Sequence, residues 1–341
     1  MDTGPALVCV HGRNQQMPAA ARRGPAEETT FVARKRQAWL GGLAKGLVLA
    51  GRPAVDERRV HFPYYGNAFI DAIAAHERAG GARPDLALEP GAELATDGAP
   101  VPGVPATTDA AILEAAAELG YSPERDAAIG DGAEELGPAW EGWRTGAEVD
   151  LGPILRPRLL RSALQYIARK TGASALVIER FLTDVGYYLD VPAIRDLVLG
   201  IVGDEVRKAA DQHGSVVLVA HSLGSVVGYD VFDTLAGEVD VRLLVTSGSP
   251  LGLPVVRGAL RPSGVRDRGA PAAKDGPVPW LNAYDVQDFV CLVHPLAGSF
   301  ARAAREERTH NPSDPHSIQD YLADPDVARP IGRAMAGRAP W

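Results

Sequence analysis

The sequence predicts an α/β protein with a mainly parallel central sheet and helices on both faces of that sheet. Three short runs, residues 6–10, 215–220 and 241–246, are almost entirely apolar, as strands are when both faces of a parallel sheet are covered. The first two runs lead through a turn or loop into a stretch with the apolar spacing of a helix. Strands that alternate with helices in this way imply a parallel sheet between helical layers.

The remaining elements follow in chain order. Thr29 and Thr30 can cap a helix over residues 31–50, which Gly51 and Pro53 would end. The pattern further predicts a short strand at 59–62, helical stripes at 159–168 and 194–202, a strand at 280–284 and a terminal helix from about residue 317. The charged run 302–308 is predicted to be a solvated helix face.

Residues 80–155 differ in composition from the rest of the chain. Gly, Pro, Ala, Asp and Glu dominate there, and only residues 111–119 show a helical pattern. We expect a loosely packed insertion between two halves of the α/β core.

Composition excludes several classes of protein. A chain of 341 residues with 46% hydrophobic residues can form one large or two modest domains and is not disordered or fibrous. The net charge of −8 and the lack of a long basic run argue against nucleic acid as a partner. No apolar run approaches the roughly 18–20 residues of a membrane span, and the N-terminus lacks the pattern of a secretory signal. With Cys9 and Cys291 expected to be buried and reduced, we predict a cytoplasmic protein without a transmembrane segment.

The segment Ala220-His221-Ser222-Leu223-Gly224 carries the strongest functional signal. It lies between a buried strand and a helix, and it matches the nucleophile elbow G-x-S-x-G except that Ala220 replaces the first glycine. Small residues two before and two after the serine let strand and helix approach closely. The amide of Leu223, at the start of the helix, can stabilise an oxyanion. The alternative reading is a serine that only caps the helix.

With this motif the sequence resembles the α/β-hydrolase family, particularly its lipase- and esterase-like members. The resemblance covers most of the chain, from Val8-Cys9-Val10-His11-Gly12 to the segments after residue 280, and is weakest over residues 80–190. It implies an α/β-hydrolase core made of residues 1–79 and 191–341. It also implies that residues 80–190 form a cap over the active site.

The same resemblance implies an oxyanion hole at the end of the first strand. Gly12 would shape the loop and the backbone N–H of Arg13 would be the second donor beside Leu223, while the side chain of Asn14 could assist. His11 is either a packed histidine or an indirect contributor to the site.

The family's chain order of serine, acid and histidine directs the search for the other two members downstream of Ser222. Asp285 and Asp288 both follow the strand at 280–284, and Asp288 is preferred because Phe289-Val290 follow it as in the family. Asp285 would then cap the turn. His316 is preferred over His310 as the base because it lies nearer the terminal helix, and His294 is assigned a structural role.

Other chemistries lack sequence support. There is no His-Glu-x-x-His, paired Cys-x-x-Cys or glycine-rich phosphate motif, so no metal or cofactor is expected. The sequence predicts a serine hydrolase that cleaves an ester or related acyl bond, in a small-molecule, acyl or peptide substrate, through an acyl-enzyme. An acyltransferase, thioesterase or peptide-bond enzyme with the same triad, or a non-catalytic binding protein of this fold, are the alternatives.

Overall fold

The structure is a computed structural model that describes residues 4–13, 15–22, 24–80, 106–127, 133–145, 152–235, 237–261, 272–273, 276–300 and 305–341. Asn14, named above as an assisting residue, lies outside these ranges. The chain divides into two compact units, one made of residues 1–72 and 192–341 and the other of residues 73–191.

The first unit contains a six-stranded, open, all-parallel sheet in the order β2-β1-β3-β4-β7-β8. The α/β class predicted from the sequence is confirmed. The described strands are β1 (Ala6–Val10), β2 (Val60–His61), β3 (Val216–His221), β4 (Val241–Ser247), a separate antiparallel pair β5 (Ala272–Ala273) and β6 (Gly276–Pro277), β7 (Trp280–Tyr284) and β8 (Arg305–Arg308).

Helices make up most of the rest of the described chain. They are α1 (Pro25–Leu49), α2 (Gly66–Arg78), α3 (Ala106–Glu118), α4 (Pro123–Asp126), α5 (Ala133–Thr145), α6 (Gly152–Thr171), α7 (Ala175–Asp190), α8 (Pro192–His213), α9 (Leu223–Leu235), α10 (Pro254–Ala259), α11 (Ile318–Ala323) and α12 (Pro325–Met335).

Helices cover both faces of the sheet, which is why its central strands are apolar throughout. Every residue of β1 and β3 is buried. On one face the alternate side chains of β1, β3 and β4 form a core with α1, α11 and α12. On the other face α8 and α9 lie against β1 and β3. The order of the strands reverses between β1 and β3, and in open α/β sheets ligands bind at the carboxyl ends of the strands beside such a reversal.

Two glycines allow α11 to lie directly against α1. A Cβ on Gly42 would lie 2.5 Å from the carbonyl oxygen of Gln319 in α11. A Cβ on Gly46 would collide with the carbonyl oxygen of Leu322 and lie 2.7 Å from the Cβ of Ala328. The backbones of the two helices are therefore in contact at these positions.

The start of α1 and the edge of the sheet differ from the sequence predictions. The helix α1 begins at Pro25, so Thr29 and Thr30 lie inside it. Their hydroxyls donate to carbonyl oxygens of the preceding turn of the same helix, and their predicted capping role is therefore wrong. Residues 305–308 form β8, an edge strand beside β7, so the predicted helix face is wrong for these residues, while residues 302–304 of the same run lie outside the described ranges. A charged strand is tolerated at an edge because one side of it faces solvent.

The second unit is helical in its described residues. Tyr121 lies at the centre of an aromatic cluster, with ring centroids 5.0 Å from Trp140 and 5.3 Å from Tyr166. The Tyr166 hydroxyl donates to the carbonyl oxygen of Leu119 at 2.8 Å. Residues 111–118 are helical as predicted, within α3, which ends one residue before the predicted end; α4 and α5 were not predicted from the sequence. That residues 80–190 act as a cap stays a prediction.

Candidate active site

Ser222 occupies a strained turn between β3 and α9. Its φ of 61° places it in the left-handed region, which costs a residue with a side chain on the order of 1–2 kcal/mol. The backbone holds it there, because Ser222 N–H donates to the carbonyl oxygen of Ser247 at 3.0 Å and Ser225 N–H donates to that of Ser222 at 2.8 Å. Only 2% of Ser222 is exposed.

The small residues around Ser222 each relieve a definite collision. A Cβ on Gly224 would lie 2.5 Å from the carbonyl oxygen of His11, so only glycine lets α9 pass the end of β1. Ala220 takes the place of the usual first glycine, and its Cβ lies against Gly228 of α9, where an added Cβ would be only 2.9 Å away. The strand carries a methyl group at Ala220 where the motif usually has glycine, and the absence of a side chain at Gly228 on the helix leaves space for that methyl group.

The structure places His316 and Asp288 in line with Ser222. Nε2 of His316 lies 3.0 Å from the Ser222 hydroxyl oxygen, and Nδ1 of His316 lies 2.8 Å from Oδ2 of Asp288. The three side chains come from the turn after β3, the loop after β7 and the loop after β8. They are the serine, acid and histidine preferred from the sequence.

The surroundings of Asp288 fix the proton positions along this line. Its side chain is fully buried and accepts the Val290 N–H at 2.9 Å on Oδ1 and the Tyr321 hydroxyl at 2.8 Å on Oδ2. A carboxyl group that accepts from donors on both oxygens is suited to the ionised state, in which it can only accept. Nδ1 of His316 is then the protonated nitrogen, and Nε2 is left to accept the proton of Ser222.

Asp285 performs a different task from Asp288. Its Oδ1 accepts the Gln287 N–H at 2.8 Å, as expected for a residue that caps the turn, and its Oδ2 accepts the Asn311 N–H at 2.7 Å. The Asn311 side chain in turn donates to the carbonyl oxygen of Pro315 at 2.7 Å. Asp285 therefore holds the loop that carries His316, and does not contact the imidazole through these bonds.

The other downstream histidines lie elsewhere. His310 is exposed, while Nδ1 of His294 lies 2.8 Å from the carbonyl oxygen of Cys291 and its ring stacks on Tyr284 with a centroid distance of 4.4 Å. His316 is the histidine that the structure brings to Ser222.

His11 is a packed histidine that holds the loop after β1. Burial lowers its pKa to about 4, so the ring is neutral at pH 7. Its Nδ1 lies 2.7 Å from the carbonyl oxygen of Gly12 and donates to it, and its Nε2 accepts the Tyr65 N–H at 3.2 Å. The Tyr65 hydroxyl also donates to the carbonyl oxygen of His11, and the two rings stack. Both ring nitrogens are thus engaged in fixing the backbone at residues 11 and 12.

The oxyanion-hole residues predicted from the sequence adjoin Ser222. Leu223 is the first residue of α9, so its N–H lies at the positive end of a helix. Gly12 lies so close that a Cβ there would be 2.5 Å from the Cβ of Ser222 and 2.9 Å from its hydroxyl oxygen. Arg13 follows directly and is partly buried, and its carbonyl oxygen accepts the Gln15 side chain at 3.3 Å.

Sequence reasoning missed three neighbours of the triad. His221 is buried, and its ring centroid lies 4.5 Å from that of His316. Burial holds the pKa of His221 well below the usual value, and repulsion from the neighbouring imidazole when it is protonated acts in the same direction. Gly248 has φ 52°, and a Cβ there would lie 2.8 Å from Oδ2 of Asp288 and 3.0 Å from Nδ1 of His316. Tyr321 is the third. The sequence Ser247-Gly248-Ser249 after β4 could have indicated Gly248, but no local pattern indicates Tyr321.

Comparison of the chain with models of protein families, with curated proteins and with solved structures gives no match. Within the residues that the structure describes, no group of three or more His, Cys, Asp or Glu side chains is arranged to hold a metal ion. Across the same part of the chain, no helix has both the length and the apolar character needed to cross a bilayer. Cys9 and Cys291 are both buried and free, as predicted.

Proposed function

We propose that the protein is a serine hydrolase that cleaves an ester or related acyl bond through an acyl-enzyme. The observation that carries this proposal is the continuous hydrogen-bonded line from Ser222 through His316 to buried Asp288. A nucleophile, a base within 3.0 Å of it and an acid that orients the base are the arrangement that acyl transfer requires.

We further propose that the first unit has the α/β-hydrolase fold. In support, the serine follows β3 on a strained turn, the predicted oxyanion loop follows β1 beside it, and the acid and the histidine follow later strands in that order. All of these residues follow the carboxyl ends of parallel strands, and Gly12 and Ser222 lie beside the reversal in strand order.

The proposed reaction begins with attack of the Ser222 hydroxyl oxygen on the acyl carbon. Nε2 of His316 takes the hydroxyl proton, and Asp288 stabilises the imidazolium that forms. The backbone N–H groups of Leu223 and Arg13 bind the oxyanion of the tetrahedral intermediate. His316 then gives its proton to the leaving group, and a water molecule activated by the same imidazole releases the acyl group from Ser222.

The strain at Ser222 supports this assignment over a serine that only caps a helix. Capping serines adopt extended backbone angles, whereas Ser222 has a φ of 61°. Strained backbone persists where surrounding structure enforces it, and it is concentrated at active sites. A cytoplasmic location is part of the proposal, because two buried free cysteines are compatible with a reducing compartment.

The test is labelling with a fluorophosphonate probe together with hydrolysis of short-chain p-nitrophenyl esters. Wild type should be labelled and active, and Ser222→Ala should lose labelling and lower kcat by about 10⁵-fold or more, because triad members act as a unit. Ser225→Ala is the matched control: this buried serine lies one turn along, its hydroxyl 3.3 Å from the carbonyl oxygen of Ala220, and its loss should preserve labelling.

Two other outcomes would change the conclusion. Wild type that is neither labelled nor active would favour a binding protein over an enzyme. Transfer of the acyl group to an added alcohol in preference to water would assign the same triad to an acyltransferase.

A further inference from the structure

Tyr321 connects the two aspartates of the loop after β7. It is fully buried on α11, five residues after His316. Its hydroxyl donates to Oδ2 of Asp288 at 2.8 Å and accepts the backbone N–H of Asp285 at 3.0 Å. The Sγ atom of Cys291 lies 3.7 Å from the same hydroxyl.

These two bonds fix the direction of the hydroxyl proton. Because the Asp285 N–H can only donate, it takes up an oxygen lone pair and orients the O–H bond towards Asp288. Burial and the negative charge of Asp288 both raise the pKa of the phenol above its usual value, so the proton stays on Tyr321. The hydroxyl is therefore a permanent donor to the acid.

The Tyr321 hydroxyl donates to the same carboxylate oxygen of Asp288 that contacts His316. Oδ2 of Asp288 receives both the Tyr321 hydroxyl and the Nδ1–H of His316, while Oδ1 is held by the Val290 N–H. A carboxylate with all three bonds has little rotational freedom about its Cβ–Cγ bond. Without the Tyr321 hydroxyl, the imidazole of His316 would be the one hydrogen-bond donor left on Oδ2 among the described residues. Asp288 would then be held at this oxygen by the same group whose orientation it sets.

We propose that Tyr321 is a positioning residue of the active site, which sets the orientation and the basicity of Asp288 and through it acts on His316. The inference rests on the proposed function. Because α11 begins two residues after His316, the loop that carries the base leads directly into the helix that carries the hydroxyl bonded to the acid.

The test is Tyr321→Phe, assayed per active site after titration with the fluorophosphonate. We expect kcat to fall about tenfold, the equivalent of one hydrogen bond of ~1.4 kcal/mol, with KM unchanged. The acid limb of kcat/KM against pH should move to higher pH, because a carboxylate relieved of the phenol bond attracts the imidazolium proton more strongly. A purely structural role would lower the labelled fraction and leave this limb in place.

Four other titratable residues near His316 or in its loop could also affect the acid limb of kcat/KM. The ring of His221 lies beside the imidazole of His316 and Cys291 adjoins Tyr321, and burial keeps both His221 and Cys291 uncharged near neutral pH. Asp285 and Asp314 accept backbone N–H groups of the loop that ends at His316. These four residues are unchanged in the variant, so the shift between the two proteins reports the lost hydroxyl.

Tyr166→Phe is the matched control, since it removes a tyrosine hydroxyl that donates to a backbone carbonyl oxygen in the second unit, and it should leave kcat and the acid limb as in wild type. A ring-fluorinated tyrosine at position 321 retains the hydroxyl and the packing and donates more strongly, so it should move the limb to lower pH. This second variant answers the question even where Tyr321→Phe folds poorly.

The outcomes separate the two proposals. Wild-type kcat and an unmoved limb in both Tyr321 variants, with Ser222→Ala inactive, would overturn the role of Tyr321 and leave the hydrolase proposal intact. An unlabelled, inactive wild type would overturn the hydrolase proposal itself.

Discussion

The turns after β1 and β3 are alike in sequence and neighbours in space, yet they differ in what holds them. In each, a histidine at the end of a buried strand is followed by a small residue: His11-Gly12 come directly after β1, and His221 is the last residue of β3 and precedes Ser222. The strands pair in parallel register, with Val10 opposite Ala220. Burial lowers the pKa of both histidines, so both rings are neutral at pH 7.

Partners account for the difference. Both nitrogens of His11 are engaged by the backbone of Gly12 and Tyr65, so the β1 turn is fixed from within its own surroundings. The hydroxyl of Ser222 instead contacts His316, which lies in the loop after β8, and His316 contacts Asp288, which lies in the loop after β7. A histidine that ends a strand therefore says little about function until the groups that meet it are known.

Among substitutions outside the β3 turn itself, the largest effect should come from the one at the proposed acid, Asp288. Asp288→Asn would present an amide N–H₂ to Nδ1 of His316, forcing the proton to Nε2, where it blocks acceptance from Ser222. We expect kcat to fall about 10⁴-fold, as in other triads with a mis-set tautomer, while the protein stays folded. Steady-state kinetics and near-UV circular dichroism measure the two quantities.

Asp285→Asn is the comparison variant for Asp288→Asn. One of its oxygens would become an N–H₂ group facing a backbone N–H, at a cost of about 1–3 kcal/mol in the free energy of unfolding. Turnover should change far less than in Asp288→Asn. If the two variants exchanged these effects, Asp285 would be the catalytic acid.

A second prediction concerns the contact between the two turns. Gly12→Ala would place a Cβ 2.5 Å from the Cβ of Ser222, so one of the turns has to move. A displacement of the order of 1 Å in a nucleophile costs about 10²-fold, so kcat should drop by about that factor. Gly200→Ala on α8, where an added Cβ meets nothing within 4 Å, should leave kcat unchanged. Equal kcat values for the two variants would contradict this contact.

The smallest expected effect is a change in the free energy of unfolding with pH, and it comes from His11 in the β1 turn. His11 has a folded pKa of about 4 against about 6.5 in an unfolded chain, so only the unfolded state takes up the proton between these values. Stability is complete above pH 6.5 and falls as the pH drops towards 4. Between pH 7.5 and 5, His11 should remove about 2 kcal/mol from the free energy of unfolding.

Urea unfolding of wild type and His11→Gln at the two pH values measures this term. Glutamine retains an acceptor for the Tyr65 N–H and does not titrate, so the variant should lose about 2 kcal/mol less than wild type. His221 contributes in the same direction in both proteins and cancels in the difference. Equal losses would mean that His11 has the same pKa in the folded and unfolded states and is protonated in both at pH 5.

The residues that the sequence predicted well are those whose local pattern is determined by packing. The strands at 6–10 and 280–284 have the predicted bounds, because each is a short, mostly apolar run that is followed by polar residues typical of a turn. Ser222 could be singled out from its motif between a strand and a helix, and Asp288 and His316 from the chain order and loop positions that the resemblance to α/β-hydrolases implied. Their adjacency is observed in the structure, while their catalytic roles remain predictions.

What the sequence did not reveal depends on contacts between distant segments. Tyr321 looks like one apolar residue of a terminal helix, and only the fold places its hydroxyl on Asp288. The β8 strand carries charge at every position and lacks the alternation that marks a half-buried strand, because only its pairing with β7 makes it a strand. Gly248 becomes necessary only once Asp288 and His316 are brought against it.

The close contact of α1 with α11 determines how accurately the base is placed. Gly42 and Gly46 set the separation of the two helices by direct backbone contact, leaving no side chain that could adopt another rotamer. His316 lies just before α11, and α11 packs against α1. The position of His316 above the sheet therefore depends on α1, a 25-residue helix that contributes no side chain to the triad. A methyl group added at Gly46 would collide with the carbonyl oxygen of Leu322 in α11, the helix that begins two residues after His316. The precision of the site is therefore specified in part by two residues that an inspection of the site alone would omit.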